Sequence, residues 1–363
     1  AADGDLSSEN FGVLRLRRNV VNANSFVGAM GTSRVDTDGR YNVTYGVDGS
    51  FRVFGDEYLT LKWLQTVTGG DPVADMAPSG LDAVRIVADW TRRTLSGFSY
   101  QAALTWSGPG YDPGIGFEPR VDFTRGQADL NYSWFPGEGA TFRRIWLGAQ
   151  NNVWVRNEND RVESAQIQPF LQLETGLGVV LKATSNTRYE DVDASFTLGD
   201  GADVPVGSYW ASEGSFELRG ARAWPIRPNA TLTAGEFFDG TRVGLKSDVT
   251  WPASPHLEMV AGWEWNRIEF DARDQAFDSH LGRLTLRGAV NTRFSVDAFV
   301  QYNSLTDQLS TNTRLRYNFR EGQDLWLVWN EGLNLERDVL GVPRLPFEEA
   351  RTLTMKYSHT FLF

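Results

Sequence analysis

Lys356-Tyr357-Ser358-His359-Thr360-Phe361-Leu362-Phe363 closes the chain, and its alternation decides how everything before it is read. Apolar and polar side chains take turns back through Tyr357, Met355 and Leu353, and the run ends on an aromatic with a second one two residues earlier. A period of two gives a strand with two unlike faces. Here one face suits lipid and the other suits water, with the terminal Phe on the lipid side. This is the pattern of the last strand of a transmembrane antiparallel β-barrel. In that setting Lys356, Tyr357, Ser358, Phe361 and Phe363 form the signal read by the machinery that assembles barrels into a bacterial outer membrane.

The same split recurs upstream. In 243–251, Val243, Leu245, Val249 and Trp251 oppose Gly244, Lys246, Asp248 and Thr250. In 296–303, Val296, Ala298, Val300 and Tyr302 oppose Asp297, Phe299, Gln301 and Asn303, and 42–53 divides likewise. A soluble sandwich also alternates, so no single strand settles the fold. Recurrence over about 19 segments of roughly 9–14 residues favours an all-β transmembrane barrel. No apolar run approaches the roughly 20 residues of a membrane helix. The 13 Trp, 11 Tyr and 22 Phe suit aromatic girdles at two membrane interfaces. A polar mean hydropathy fits a closed sheet that is greasy outside and wet inside. With no cysteine, disulfide frameworks, thiol nucleophiles and thiolate metal sites are all excluded. A net charge of -11 argues against nucleic acid as a partner. No signal-peptide pattern stands at Ala1.

Loop lengths sort the two ends of the strands. The connections 320–324, 291–292, 251–255, 175–178, 136–139, 95–97 and 55–56 are short, whereas 332–350, 271–279, 192–207, 109–120 and 69–82 are long. Short turns on the periplasmic side and long loops outside are the asymmetry of an outer-membrane barrel. The first strand, around Phe11–Asn19, must then run downward, which makes 1–9 an outer loop remnant and 10–363 the barrel. The count of about 19 is odd, while bacterial single-chain barrels have even counts. The expectation is a total of about 20, with at least one strand coming from outside this stretch, most simply from a preceding part of the polypeptide; a miscounted strand is the alternative explanation of the parity.

Five segments carry a resemblance to a known family: Asn10–Arg34, Tyr45–Phe54, Gly108–Phe123, Val204–Trp210 and, most specifically, Gln301–Asn334 (QYNSLTDQLSTNTRLRYNFREGQDLWLVWNEGLN). They resemble the C-terminal barrel region of a family of uncharacterised bacterial outer-membrane proteins. Full-length members of that family carry, upstream, a carbohydrate-binding-like module of the family 9 type. The resemblance spans essentially all of 10–363. It implies a barrel whose upstream module and first strands lie outside this sequence, and it transfers no catalytic residue and no sugar-binding residue.

Chemistry is sparse. His256 falls in a periplasmic turn, His280 starts a strand and His359 lies in the last one, so three histidines do not gather around a metal. His280 has Ser279 and Asp278 beside it, but a histidine cannot activate its sequence neighbour across alternating faces. Phosphate-loop, zinc-protease, nucleophile-elbow and EF-hand patterns are absent. No catalytic, cofactor or metal residues are assigned, and no enzymatic role is expected. The lumen-facing candidates are Arg15, Arg17, Arg52, Lys62, Arg85, Arg242, Lys246, Arg287, Arg314 and Arg316, together with Asp48, Asp129, Asp248 and Asp297. Glu258 and Glu264 share their polar positions. Such a lattice either filters solutes or stiffens the wall through lumen-bridging ion pairs. Asp71, Asp75 and Asp82, and Glu190, Asp191, Asp193, Asp200 and Asp203, read as solvated acidic loops whose spacing fits no calcium geometry. Gly108–Arg120 reads as an ordered outer loop that folds inward as a constriction. The expected partners are membrane lipid and lipopolysaccharide, the assembly machinery, and an upstream segment or other envelope proteins. The expected role is a membrane-embedded platform or conduit, with a diffusion channel for small solutes such as saccharides as the alternative.

Overall fold

Alternating β-branched and aromatic residues with polar ones leave no helical stripe to bury, and the chain folds almost wholly into strands. The structure, a computed structural model, describes residues 8–70, 80–199, 201–338 and 343–360. The first strands are β1 (Glu9–Asn19), β2 (Phe26–Asp36), β3 (Tyr41–Phe54), β4 (Glu57–Gly69), β5 (Val84–Arg92), β6 (Gly97–Ser107), β7 (Phe123–Trp134), β8 (Phe142–Arg156), β9 (Val162–Thr175) and β10 (Val180–Val192). Two short strands follow, β11 (Phe196–Gly199) and β12 (Ala202–Val204). The rest are β13 (Gly207–Arg219), β14 (Arg227–Phe237), β15 (Gly240–Ser254), β16 (Leu257–Phe270), β17 (Gln275–Ala289), β18 (Phe294–Asn303), β19 (Gln308–Arg320), β20 (Gln323–Asn334) and β21 (Glu348–His359).

Among the described residues nineteen strands form one sheet, and β11 with β12 makes a separate hairpin. Every neighbour in the large sheet is the next strand in the chain, all antiparallel, with β13 following β10 across the hairpin. Among the described residues no ladder joins β1 to β21. The strand number expected from alternation is the one found.

All four long connections, 70–83, 108–122, 193–206 and 335–347, leave from the same end of the sheet. The opposite end carries only connections of up to seven residues, among them 55–56, 176–179, 255–256 and 321–322. Some boundaries differ from expectation. Glu9, expected in a leading loop, already opens β1 opposite Asp36. The loop expected at 271–279 shrinks to 271–274, because a single 3₁₀ turn at Asp271–Arg273 closes on Asp274 in the left-handed conformation and β17 begins at once. His280, expected at a strand start, therefore lies inside β17.

Directly opposed residues in an antiparallel ladder share a face, so the register sorts the whole sheet into two. One face is apolar and open, with Leu16, Val47, Leu61, Leu104, Leu147, Leu171 and Leu232 all more than two-fifths exposed. Near the short-turn end it gathers aromatics: Phe98, Tyr132, Trp134, Trp251, and the linked rings Tyr317, Phe319 and Tyr357, whose centroids are 4.8 and 6.3 Å apart. The other face is polar. A sheet greasy on one side, wet on the other and belted with aromatics at one end is built for a membrane.

Candidate functional site

The register carries all fourteen charged candidates onto the polar face, with Glu258 and Glu264. How they pair corrects one expectation. Among the described residues the candidates' ion pairs run along the wall between nearby strands instead of across the lumen, except at Arg85. Arg15 on β1 donates to Asp48 on β3 at 2.5 and 2.8 Å, reaching over Gly28 of β2. A Cβ at Gly28 would stand 2.8 Å from the Arg15 guanidinium and 2.9 Å from the Asp48 carboxylate. The device recurs on the far wall, where Arg283 of β17 reaches Asp248 of β15 at 3.5 Å across Gly262 of β16. It recurs a third time where Arg242 of β15 reaches Glu213 of β13 at 2.5 Å across Gly235 of β14. At Gly28 and Gly262 an added side chain would stand against the paired charges, whereas at Gly235 it would collide with the backbone of Ser212 and Glu213.

The remaining candidates are paired more locally. Arg287 holds Glu258 at 2.9 Å, Arg316 holds Asp324 at 2.8 Å, Lys246 lies 3.9 Å from Glu264, and Arg52 lies 3.6 Å from Asp56. Asp129 accepts from Gln127 at 2.9 Å. Lys62 faces Asp48, and Arg314 faces Asp297, in register. Arg17 lies over the Phe26 ring at 3.6 Å. Arg85 leaves the wall altogether and pairs with Glu118 in the 108–122 loop.

That loop is the centre of the site. It folds onto the polar face and is tied down along its length. Gly110 donates its amide to Asp82 O at 2.8 Å, and its own carbonyl accepts from Thr66 Oγ1 on β4 at 3.1 Å. Asn42 on β3 donates to Asp112 O at 2.8 Å and accepts from the Gly114 amide at 2.7 Å. Farther on, Glu118 takes Arg85, while Arg120 donates to Ser164 Oγ on β9 at 2.8 Å, lies 3.3 Å from Glu163 and covers the Trp154 ring at 4.4 Å. Beneath it Tyr111 and Phe123 are buried against the Arg85 guanidinium, 6.0 Å from each ring. Burial lifts the Tyr111 phenol above its ordinary range, with Arg85 pulling weakly the other way. The inward fold expected of Gly108–Arg120 is what the structure has. Beside the loop a cavity of about 900 Å³ is lined by Glu9, Phe11, Arg34, Tyr41, Asn42 and Asp112.

A second covering element was missed by the sequence reading. The connection expected as an irregular acidic loop at 192–207 contains the β11–β12 hairpin, which packs Ala202 and Val204 onto Ile268, Phe270 and Phe277. All three lie on the polar face, so this is an apolar cluster set within the wet side of the sheet. Phe237, Phe238 and Tyr209 extend it with ring centroids 4.9 and 5.5 Å apart. Arg273 clamps it from the side, bonding Asp239 at 3.0 Å and Asp203 O at 3.0 Å over the Phe270 ring. Two acids of this loop are ion-paired to one arginine, and Asp203 accepts from Thr197 Oγ1 at 2.7 Å. Asp191 and Asp193 lie 2.7 and 2.6 Å from Arg156. Asp71, Asp75 and Asp200, expected in acidic loops, lie outside the described residues.

The three histidines are dispersed. His256 Nδ1 contacts Ala289 O at 2.9 Å, His280 stacks on Trp263, and His359 meets Gln323 at 2.9 Å. His280 is on the apolar face while Ser279 is on the polar one, and Asp278 is engaged by Arg267 and by the Trp265 indole. Of the terminal signal, Lys356 and Ser358 lie on the polar face and Tyr357 sits in the aromatic belt, while Phe361 and Phe363 lie outside the described residues.

No family model and no curated protein matches the chain. Among solved structures, the open form of the ferric-catecholate import receptor Fiu from E. coli K12 superposes on 96% of this chain and 72% of its own, with a TM-score of 0.55 at 10% identity. OmpT, an outer membrane protein of Vibrio cholerae, covers 87% of this chain and 92% of its own in a trimer form, with a TM-score of 0.39 at 14% identity. The first likeness extends to the fold: the chain has the architecture of the outer-membrane β-barrels, and its apolar outer surface and aromatic belt seat it in that membrane.

Proposed function

We propose that this barrel is a membrane-embedded conduit, narrowed from its outer end by two inward-folded loops, that holds or threads a partner polypeptide or an upstream part of its own chain. In a barrel the polar face lines the lumen. The observation that carries the reading is the 108–122 loop. Its anchors on β3, β4, β5, β8 and β9 set ordered backbone over the wall of a lumen that a sheet of this width would otherwise leave open. Lipid and lipopolysaccharide surround the apolar face, and the assembly machinery meets the final strand. No step of this role is catalytic.

A second reading, a diffusion channel for small solutes such as saccharides, has its own support in the mixed-sign lattice of the wall and the polar cavity beside Asn42. Planar-bilayer recording separates the two. The conduit reading expects a silent or intermittently blocked wild type and steady conductance once residues 109–120 are deleted. Steady wild-type conductance, with saccharides passing into proteoliposomes, would instead establish the diffusion channel.

A further inference from the structure

We propose that the gap between β1 and β21 is a socket for one more β-strand, supplied by polypeptide preceding Glu9 and carrying an acidic residue toward the lumen near its periplasmic end. The argument begins with parity. Nineteen strands in which each is antiparallel to the next put β1 and β21 in the same direction, so joining them directly requires a parallel ladder, which nothing else in this sheet uses. One strand antiparallel to both closes the ring with the hydrogen-bond pattern of all its other neighbours.

The edges themselves are bare. Leu14 and Leu16 on β1 are 62% and 61% exposed, and Leu353 and Met355 on β21 are 60% and 73% exposed, while most other strands alternate along their length. Unpaired edge backbone cannot persist in hydrocarbon, where each unsatisfied group costs several kcal/mol. The meander rule then names the source. Every ladder of the large sheet joins strands that follow one another in the chain, with only the small β11–β12 hairpin skipped, so the element adjacent to β1 on its free side is the one before it, running toward the long-loop end.

The chemistry of that strand can be read from its two walls. Its outward residues are apolar, to sit between Leu14, Leu16, Leu353 and Met355. On the lumen side, Arg17 and Lys356 fall within the last four residues of β1 and β21, and neither lies within ion-pair distance of a carboxylate among the described residues. Arg15 differs, since Asp48 already holds it. An Asp or Glu between Arg17 and Lys356 completes the wall as Asp48 does for Arg15. Nearer the outer end, Phe11 and Val13 turn apolar side chains to the lumen and ask for an apolar or small neighbour.

The cysteine-free chain allows a clean test. The polypeptide with its natural upstream region is expressed in the outer membrane, and single cysteines are scanned through the residues before Glu9. Each is paired with Leu14→Cys or, separately, Met355→Cys, and oxidised with copper phenanthroline; Leu16→Cys and Leu353→Cys serve if the first pair assembles poorly. One upstream stretch should cross-link to both edges, while the double variant Leu14→Cys, Met355→Cys stays uncoupled. Lys356→Glu should cut the yield several-fold and Lys356→Arg should keep it. Ready coupling of Leu14→Cys to Met355→Cys would show parallel closure and overturn the socket. Coupling between two copies, or no upstream coupling, would overturn it as well. An unchanged yield in Lys356→Glu would remove the acidic residue from the proposal.

Discussion

At the scale of single residues, the wall depends on glycines as much as on charges. Arg283 and Asp248 meet only because Gly262 puts no Cβ between them, one that would lie 2.5 Å from Asp248 Oδ1. Gly262→Val keeps both charges and severs the bridge. The expected loss is about 1–2 kcal/mol, read as a lower temperature at which the heat-resistant folded band disappears on gels. An unchanged temperature would mean that the pair contributes nothing measurable. Tyr111 gives a second expectation at this scale. Its phenol is raised by burial, so the docked loop favours the neutral form. That preference is fully present below the ordinary phenol value of about 10 and is lost as pH rises through the higher folded value. Conductance should therefore stay flat up to about pH 10 and climb above it, and Tyr111→Phe should abolish the climb. Which residues face the lumen was legible in the sequence, since period two alone assigns Arg15, Asp48, Lys246 and Asp297 to one side. Their pairing was not, because it depends on which glycine the register brings between two charges.

At the scale of elements, the two covering loops were unequally visible. Gly108–Arg120 announces itself through its glycines and aromatics. The β11–β12 hairpin did not, although Asp200-Gly201 between the alternating stretches 196–198 and 202–204 is a hairpin signal. The run of carboxylates around it drew attention to charge and away from Val204, which is fully buried. Docking of this hairpin rests on apolar contact, and Phe238 even takes a left-handed backbone (φ 52°) in the tight turn that places its ring there. Val204→Asp would bury an unpaired carboxylate. The expected result is proteolytic cleavage within 196–204 on intact cells, while the barrel keeps its heat-resistant migration. Resistance equal to wild type would place the hairpin's anchorage elsewhere.

At the scale of the whole molecule, strand number and the sidedness of the loops followed from alternation and loop length, because both are local properties summed along the chain. Coverage of the lumen did not, since it joins residues far apart in sequence such as Asn42 and Asp112. The two covers rest on different sectors, the 108–122 loop on β3 to β9 and the hairpin on β10 to β17. Glu118→Gln and Val204→Asp should then raise conductance independently, and the double variant should match the sum of the single increments. A much larger or smaller value would mean that the covers touch. Their placement also has a mechanical consequence. A chord pinned at several points stiffens the arc beneath it, and together these two chords brace the circumference from β3 to β17. What give the ring retains is left to the short arc of β18 to β21 with β1 and β2, so a body too wide for the bore would stretch the cylinder there first.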